Sequence, residues 1–244
     1  MSRQQYLVDA LYSLFKELNP EDLARRIDAT LLSPIMSEKA LEDLIKKTSD
    51  FGFKCAMIPP SYLRYAQPLA RKHGAELCTV VGFPAGFSGL KAKMEELDNA
   101  ASVEELSEVD IVPDFSRLLE NMVGEEIVAL ADKARSYGLK IKVIVEAPLH
   151  RDEVLEGLVK ACYEARVDFV KTSTGVYSKG GDYATVMRVK RMSSKYGLKV
   201  KAAGGIRDAL TAIMAIAVGA DRLGTSSFVE VVEDYRRLRG LVVS

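Results

Sequence analysis

Short apolar stretches rich in Val and Ile recur eight times along the chain. In order they read RRIDATLL, KCAMI, ELCTVVGF, EVDIV, KIKVIVE, DFVKTST, KVKAAG and DRLGTS. Apolar runs of this kind, without regular polar alternation, are typical of strands whose two faces are both covered. The pattern therefore predicts eight parallel β-strands.

The segments between these stretches show helical spacing of their apolar residues, as in residues 37–52 and 151–165. Several of them end in glycine after a basic or aromatic residue, as at Gly74, Gly138 and Gly197. Glycine in that place is a common C-terminal signal of a helix. Helices are therefore expected to alternate with the strands.

Eight such units in 244 residues predict a single (β/α)8 barrel of the TIM-barrel type. We expect one domain over residues 1–244, with an additional helix in a helical extension over residues 1–20. The alternative is an open doubly wound sheet, which should carry a glycine-rich phosphate loop after its first strand. The first predicted strand is followed instead by Leu31-Leu32-Ser33-Pro34, which favours the barrel.

The charge balance argues against a nucleic-acid or membrane-binding protein. Thirty-four basic residues offset thirty-four acidic ones, so the chain has no net field that would attract polyanions. The longest apolar stretch, residues 209–220, is shorter than the ~20 residues needed to cross a bilayer. The N-terminus lacks a compact apolar segment with a cleavage site. We expect a cytoplasmic protein with no nucleic-acid or membrane partner.

The cysteines and histidines do not predict a metal site. Cys55, Cys78 and Cys162 are an odd number of well-separated residues in apolar surroundings, without a C-x-x-C pair. We expect three free thiols, with Cys55 and Cys78 packed inertly in strands, as suits a reducing compartment. Only His73 and His150 are present and no Cys/His cluster is seen. No metal is predicted.

Four charged residues lie within or at the end of strongly apolar strands: Asp28, Asp110, Lys171 and Lys201. Each of them taken alone could belong to a structural ion pair. Lys171 and Lys201, however, occupy corresponding places on neighbouring predicted strands, and both like charge and desolvation favour a neutral amine. Because a neutral lysine amine is a nucleophile toward carbonyl groups, the pair predicts covalent chemistry on a carbonyl substrate.

The loops after the seventh and eighth predicted strands are rich in glycine and serine. Gly204 and Gly205 follow the seventh strand, and Gly224, Ser226 and Ser227 follow the eighth. In phosphate-binding barrels these two loops form the anion site through backbone N–H groups. Ordinary tight turns and a helix cap are the alternative interpretation. Two such loops in consecutive units favour a phosphate site.

Together these motifs resemble the deoxyribose-phosphate aldolases, which are class I aldolases of the barrel fold. The resemblance rests above all on VKTSTG at 170–175 and KAAGGIR at 201–207, and it extends in order over nearly the whole chain. It implies that Lys171 forms a Schiff base and that Asp110 and Lys201 share the proton transfers. Asp28 and Thr172 are expected to support them.

The resemblance also implies the reaction and the partners. The reaction is the reversible cleavage of 2-deoxy-D-ribose 5-phosphate to acetaldehyde and D-glyceraldehyde 3-phosphate. No cofactor is expected, because the iminium is itself the electron sink. The partners implied are these small molecules and further copies of the chain in a homodimer or homotetramer.

The sequence departs from the family pattern in two places. Val176 follows the Ser-Thr-Gly triplet where some members carry a lysine, and Lys179 is a candidate substitute. The chain ends in Leu241-Val242-Val243-Ser244, without the tyrosine that ends some members.

Three other functions compete with this interpretation. A transaldolase-like or ketose-phosphate aldolase would use the same lysine chemistry on a ketone donor. A catalytically silent barrel would bind sugar phosphates without needing two lysines at its centre. A purely structural oligomer subunit would form no covalent adduct with an aldehyde.

Overall fold

Eight parallel strands close into a barrel, each paired with its neighbours in sequence and the first paired with the last. This computed structural model describes residues 3–120 and 122–243. The strands are β1 (Ile27–Thr30), β2 (Cys55–Met57), β3 (Leu77–Val81), β4 (Leu106–Ile111), β5 (Lys140–Ile144), β6 (Phe169–Lys171), β7 (Lys199–Ala203) and β8 (Arg222–Thr225). The predicted (β/α)8 barrel is confirmed, and each strand lies within the stretch that predicted it.

Helices surround the barrel and connect its strands. They are α1 (Arg3–Glu17), α2 (Pro20–Ala24), α3 (Glu38–Phe51), α4 (Leu63–His73), α5 (Gly89–Ala101), α6 (Val123–Ser136), α7 (Asp152–Glu164), α8 (Tyr183–Ser193), α9 (Ala209–Ala217) and α10 (Phe228–Val243). The additional N-terminal helix is confirmed as α1, before β1. Met1, Ser2 and Ser244, which the sequence assigned to the same domain, lie outside the described residues. No helix in 3–120 or 122–243 has the length and apolarity of a membrane span.

Local sequence signals set the ends of several helices. Ser37, Asp182 and Asp208 accept hydrogen bonds from backbone N–H groups in the first turns of α3, α8 and α9. Gly74 takes the left-handed conformation at the end of α4, with φ +69°. These caps aim each helix from the carboxyl end of one strand back toward the start of the next.

Alternation along each strand separates two environments. Val109 and Ile111 of β4 pack in the large apolar core between the sheet and the helices. Glu108 and Asp110, the intervening residues, contact charged residues of β5 to β8 and therefore lie inside the barrel. The barrel interior thus carries polar groups that the outer core does not.

A disulfide joins Cys55 of β2 to Cys78 of β3. The expectation that both are free thiols is wrong. The parallel pairing of β2 with β3 brings residues 23 apart in sequence to a Cα–Cα distance of 5.9 Å, within bonding range for a disulfide. Spacing along the chain does not reveal that proximity. Cys162 in α7 is a free, buried thiol, as predicted.

Candidate active site

Six strands direct charged side chains into one cluster inside the barrel. The cluster comprises Asp28 of β1, Glu108 and Asp110 of β4, Lys142 of β5, Lys171 of β6, Lys201 of β7 and Arg222 of β8. All seven are buried. Charged groups are rarely buried without partners, and in this cluster each contacts at least one residue of opposite charge.

Asp110 is the central acceptor of the cluster. Its Oδ2 lies 2.8 Å from Lys171 Nζ and 2.7 Å from Lys201 Nζ, and its Oδ1 accepts a hydrogen bond from Lys142 Nζ at 2.9 Å. The three residues that the sequence singled out as catalytic are therefore in direct contact. One carboxylate oxygen bridges the two predicted lysines.

Asp28 and Arg222 extend the cluster on the β1 and β8 side. Asp28 Oδ2 lies 2.6 Å from Lys201 Nζ, and its Oδ1 lies 2.6 Å from a guanidinium nitrogen of Arg222. Glu108 pairs with Lys142 at 2.7 Å and with Arg222 at 3.1 Å. Asp28 thus holds Lys201 from the side opposite to Asp110, which is a supporting position.

Sequence reasoning missed three members of this cluster: Glu108, Lys142 and Arg222. Each lies on the same strand parity as a neighbouring predicted site residue, as Glu108 does two positions before Asp110 and Lys142 opposite Asp110 in the β4–β5 register. Strand parity together with charge is the signal that could have found them. Without the barrel closed, no partner across its interior could be assigned.

The cluster contains one more basic group than acidic groups. Lys142, Lys171, Lys201 and Arg222 face only Asp28, Glu108 and Asp110. Burial lowers the pKa of Lys171 to about 8, and the charges of Lys201 and Lys142 lower it further against the opposing effect of Asp110. Lys171 is thus the amine of the cluster that most readily becomes neutral, and a neutral amine is nucleophilic.

The other pKa shifts keep the surrounding groups charged. Burial opposes ionisation of Asp110, but Lys142, Lys171 and Lys201 hold the pKa of this carboxyl well below its usual range. The pKa of Lys142 is raised, because three carboxylates outweigh the effect of burial. The pKa of Asp28 is likewise lowered by Lys201, Lys142 and Arg222. Lys171 therefore sits against fixed ionic partners.

Lys171 also lines an open cavity of about 350 Å³ at the carboxyl ends of the strands. Thr30, Leu31, Phe83 and Val176 contribute to the rest of its wall. Lys201 and Asp110 are fully buried beneath. A small molecule in the cavity can thus contact the amine that is easiest to deprotonate.

The glycine and serine residues predicted to bind phosphate lie mostly at this cavity. Gly204, Gly205, Gly224 and Ser226 line it, and Ser227 follows at the start of α10. The backbone N–H of Ser227 donates to Thr225 Oγ1 at 2.9 Å, so its hydroxyl is the group that could face a ligand. Sequence reasoning did not assign Arg207, which also lines the cavity and has an exposed side chain.

Backbone geometry at Gly204 requires glycine. Its φ is +89°, and a Cβ there would lie 2.6 Å from Ser173 Oγ. Thr172, the predicted supporting residue, accepts a hydrogen bond from the Ala203 N–H at 3.0 Å through its Oγ1. These contacts join the end of β6, which carries Lys171, to the Gly204 loop.

One group of potential metal ligands lies below the cavity. One ligand atom from each of Asp28, Cys55, Cys78 and Glu108 lies within 4.8 Å of the others. The two sulfur atoms are bonded to each other, and Asp28 and Glu108 pair with the basic residues of the cluster. The donor atoms in this oxidised state are therefore already engaged.

Comparison with models of protein families gives no match. Among curated proteins, a deoxyribose-phosphate aldolase of Aeropyrum pernix is 44% identical over 220 residues, which cover 90% of this chain and 93% of that protein. A deoxyribose-phosphate aldolase of Aquifex aeolicus is 35% identical over 215 residues, covering 88% of this chain and 96% of that protein. The similarity spans almost the full length on both sides.

Solved structures agree. The tetrameric deoxyribose phosphate aldolase of Aeropyrum pernix matches with a TM-score of 0.90 and 42% identity, covering 98% of this chain and all of that one. A regulatory protein of the glycerol uptake operon of Listeria monocytogenes, 14% identical with a TM-score of 0.55, shares the fold alone. Since the resemblance seen in the motifs holds at 44% identity over nine-tenths of the sequence, the chain is an aldolase and belongs to the deoxyribose-phosphate aldolase family.

Proposed function

We propose that this aldolase cleaves 2-deoxy-D-ribose 5-phosphate reversibly to acetaldehyde and D-glyceraldehyde 3-phosphate through a Schiff base on Lys171. The observation that carries the proposal is the position of Lys171 Nζ. It lies at the cavity, 2.8 Å from a carboxylate that also binds Lys201, and its pKa is lowered to about 8. Family membership supports the choice of substrate.

Cleavage begins at the C1 aldehyde of the open-chain sugar. The neutral Lys171 amine adds to this carbon and water leaves, giving an iminium between Nζ and C1. A base removes the proton of the C3 hydroxyl, the C2–C3 bond breaks, and its electron pair moves into the iminium as an enamine. Glyceraldehyde 3-phosphate leaves. Protonation of C2 and hydrolysis then release acetaldehyde and restore the amine.

Asp110 and Lys201 are the groups proposed to move these protons. Asp110 stays ionised because of its three lysine neighbours, so it orients both amines and transfers protons through a bound water. Lys201, held between Asp28 and Asp110, donates to oxygen and accepts the proton back. Proton transfer by positioned groups contributes typically about 10² to 10⁴-fold to rate.

The phosphate of the substrate is proposed to lie against Gly204, Gly205 and Gly224, with Ser226 and Ser227 as hydroxyl donors. Glycine backbone allows the phosphate oxygens to approach the N–H groups closely. The start of α10 adds the positive end of a helix dipole. This arrangement places the aldehyde end of the sugar toward Lys171.

Borohydride trapping tests the proposal. The protein is incubated with acetaldehyde and reduced, and the modified peptides are mapped by mass spectrometry. An ethyl adduct on Lys171, absent from the Lys171→Met variant, is the expected result. Lys142 is an internal control, because its raised pKa keeps it protonated. Adducts confined to surface lysines, or no adduct at all, would contradict the Schiff-base assignment and favour a silent phosphate-binding barrel.

The assembly and its compartment are also proposals. The relative that shares 42% identity is described as a tetramer, which supports a homo-oligomer here. Light scattering on the purified protein should give a mass at least twice that of the chain, and a mass of 26.8 kDa would contradict it. Because the proposed substrate is a sugar phosphate, we propose the cytoplasm as the place of action, which fractionation of cells that produce the protein would test.

A further inference from the structure

The loop after β6 folds over the glycines proposed to bind phosphate. The N–H of Gly181 donates to the carbonyl of Gly204 at 2.8 Å. The N–H of Gly180 donates to Ser173 Oγ at 3.1 Å, and this hydroxyl donates to the carbonyl of Ala203 at 2.8 Å. The segment between Ser173 and Gly181 is therefore anchored at its base to the β7 loop.

Lys179 lies in this segment, and its side chain runs along Gly205. A Cβ placed on Gly205 would lie 3.5 Å from Lys179 Cβ and 3.7 Å from its Cγ and Cδ. The aliphatic part of Lys179 therefore covers the side of Gly205 that lacks a side chain. The lysine is exposed, and no carboxylate within residues 3–120 and 122–243 forms an ion pair with it. Its charge is available to a ligand.

Glu146 holds the tip of the same segment. It follows β5, is 2% exposed, and accepts hydrogen bonds from the Thr174 N–H at 3.0 Å and from the hydroxyl of Ser178. Its φ of +43° is left-handed, a conformation that a residue with a side chain adopts only when its surroundings favour it. Ser178 directly precedes Lys179, so the carboxylate fixes the residue from which the lysine extends.

We propose that Lys179 binds the phosphate group of the substrate beside Gly205, and that Glu146 is the positioning residue that keeps Lys179 there. The inference rests on the proposed function and adds to it a cation for the phosphate. Backbone N–H groups and serine hydroxyls supply neutral donors only. A lysine ammonium supplies a full opposite charge to a phosphate dianion and strengthens the hydrogen bonds that it makes.

Arg207 also lines the cavity, so the phosphate has two possible cationic partners. Lys179 differs from it in two respects. Its stem is packed on Gly205, and its preceding residue is tied to a buried carboxylate. The test must therefore compare both residues.

Kinetics on 2-deoxyribose 5-phosphate and on unphosphorylated 2-deoxyribose separate phosphate binding from catalysis. Lys179→Met should raise KM for the phosphorylated sugar about 10-fold, leave its kcat close to that of the wild type, and leave kcat/KM for deoxyribose unchanged. Lys179→Arg should restore the preference. Lys72→Gln is the matched control, since this exposed lysine lies in the last turn of α4, at the opposite end of the barrel.

Glu146→Gln keeps the size of the side chain and removes its charge. It should raise KM for the phosphorylated sugar, and its effect should not add to that of Lys179→Met, because both act on the same contact. Glu96→Gln is its control. Glu96 also accepts a backbone N–H, that of Gly82 at 2.7 Å, but in the loop after β3. It should not change the preference between the two sugars.

Titration with inorganic phosphate keeps the inference independent of turnover. The dissociation constant of phosphate should rise about 10-fold in Lys179→Met and not in Lys72→Gln. If the wild type binds phosphate but does not cleave deoxyribose 5-phosphate, the proposed function fails, and this titration still decides the role of Lys179. If Lys179→Met keeps both the phosphate affinity and the preference for the phosphorylated sugar while Arg207→Gln loses them, Lys179 is not the phosphate cation.

Discussion

Asp110 Oδ2 lies 2.8 Å from Lys171 Nζ, and the same oxygen accepts a hydrogen bond from Lys201 Nζ at 2.7 Å. A single buried oxygen thus couples the protonation of two amines on neighbouring strands. With three carboxylates facing four basic groups, the cluster is electrically balanced when Lys171 is neutral. The arrangement therefore favours a neutral amine at the cavity without leaving a carboxylate unpaired.

Replacing Lys171 is expected to stabilise the protein while abolishing activity. At pH 7 the native state protonates Lys171 at a pKa of about 8, compared with about 10.5 when unfolded, a cost of about 3 kcal/mol. Lys171→Met removes that cost. Stability of the wild type from this group should rise as pH increases from 8 to 10.5, because only the unfolded state then holds the proton.

Denaturant unfolding at pH 7 and pH 10 measures this effect. The variant should be more stable than the wild type by up to about 3 kcal/mol at pH 7 and by about 1 kcal/mol at pH 10. An advantage that does not shrink with pH would show that packing of the methionine, not the lysine charge, is responsible.

Lys201→Leu is expected to raise the pKa of Lys171. Lys201 repels the protonated form of Lys171 and also neutralises part of the Asp110 charge, and both effects lower that pKa. The rising limb of the kcat/KM profile should move to a pH above about 8. Lys199→Leu changes the same strand two residues earlier, at an exposed position, and should leave the profile in place. An unchanged profile in Lys201→Leu would contradict the coupling.

Arg222 is expected to be important for stability, since it is the shared partner of two buried carboxylates. Arg222→Leu leaves Asp28 and Glu108 with fewer cations, which should reduce the free energy of unfolding by about 3 to 5 kcal/mol. Arg236→Leu removes an exposed partner of Glu21 and should cost no more than about 1 kcal/mol. Equal losses in the two variants, measured by urea unfolding, would count against the role of the buried cluster.

The disulfide is expected to contribute about 3 kcal/mol, because it closes a loop between residues 23 apart in sequence. Reductant should therefore lower the midpoint of denaturation of the wild type. It should have no effect on the variant with Cys55→Ala and Cys78→Ala. The unfolded, unreduced protein should show one reactive thiol, from Cys162, and the reduced protein three. Three thiols before reduction would mean that the bond is absent.

The sequence by itself determined the barrel and the centre of the candidate site. Val- and Ile-rich runs, caps such as Ser37 and glycines such as Gly74 are local signals, readable within a few residues. Lys171, Lys201 and Asp110 were identified because a charged side chain in an apolar strand is unusual wherever the strand lies. The family motifs then indicated the chemistry.

The tertiary structure decided what lies opposite what. The Cys55–Cys78 bond, the partners Lys142, Glu108 and Arg222, and the packing of Lys179 on Gly205 all depend on strand register and barrel closure. These contacts join residues far apart in sequence, as in the 114-residue separation between Arg222 and Glu108. Local patterns carry the direction of a side chain along its own strand, but the distance between two side chains exists only once the barrel has closed.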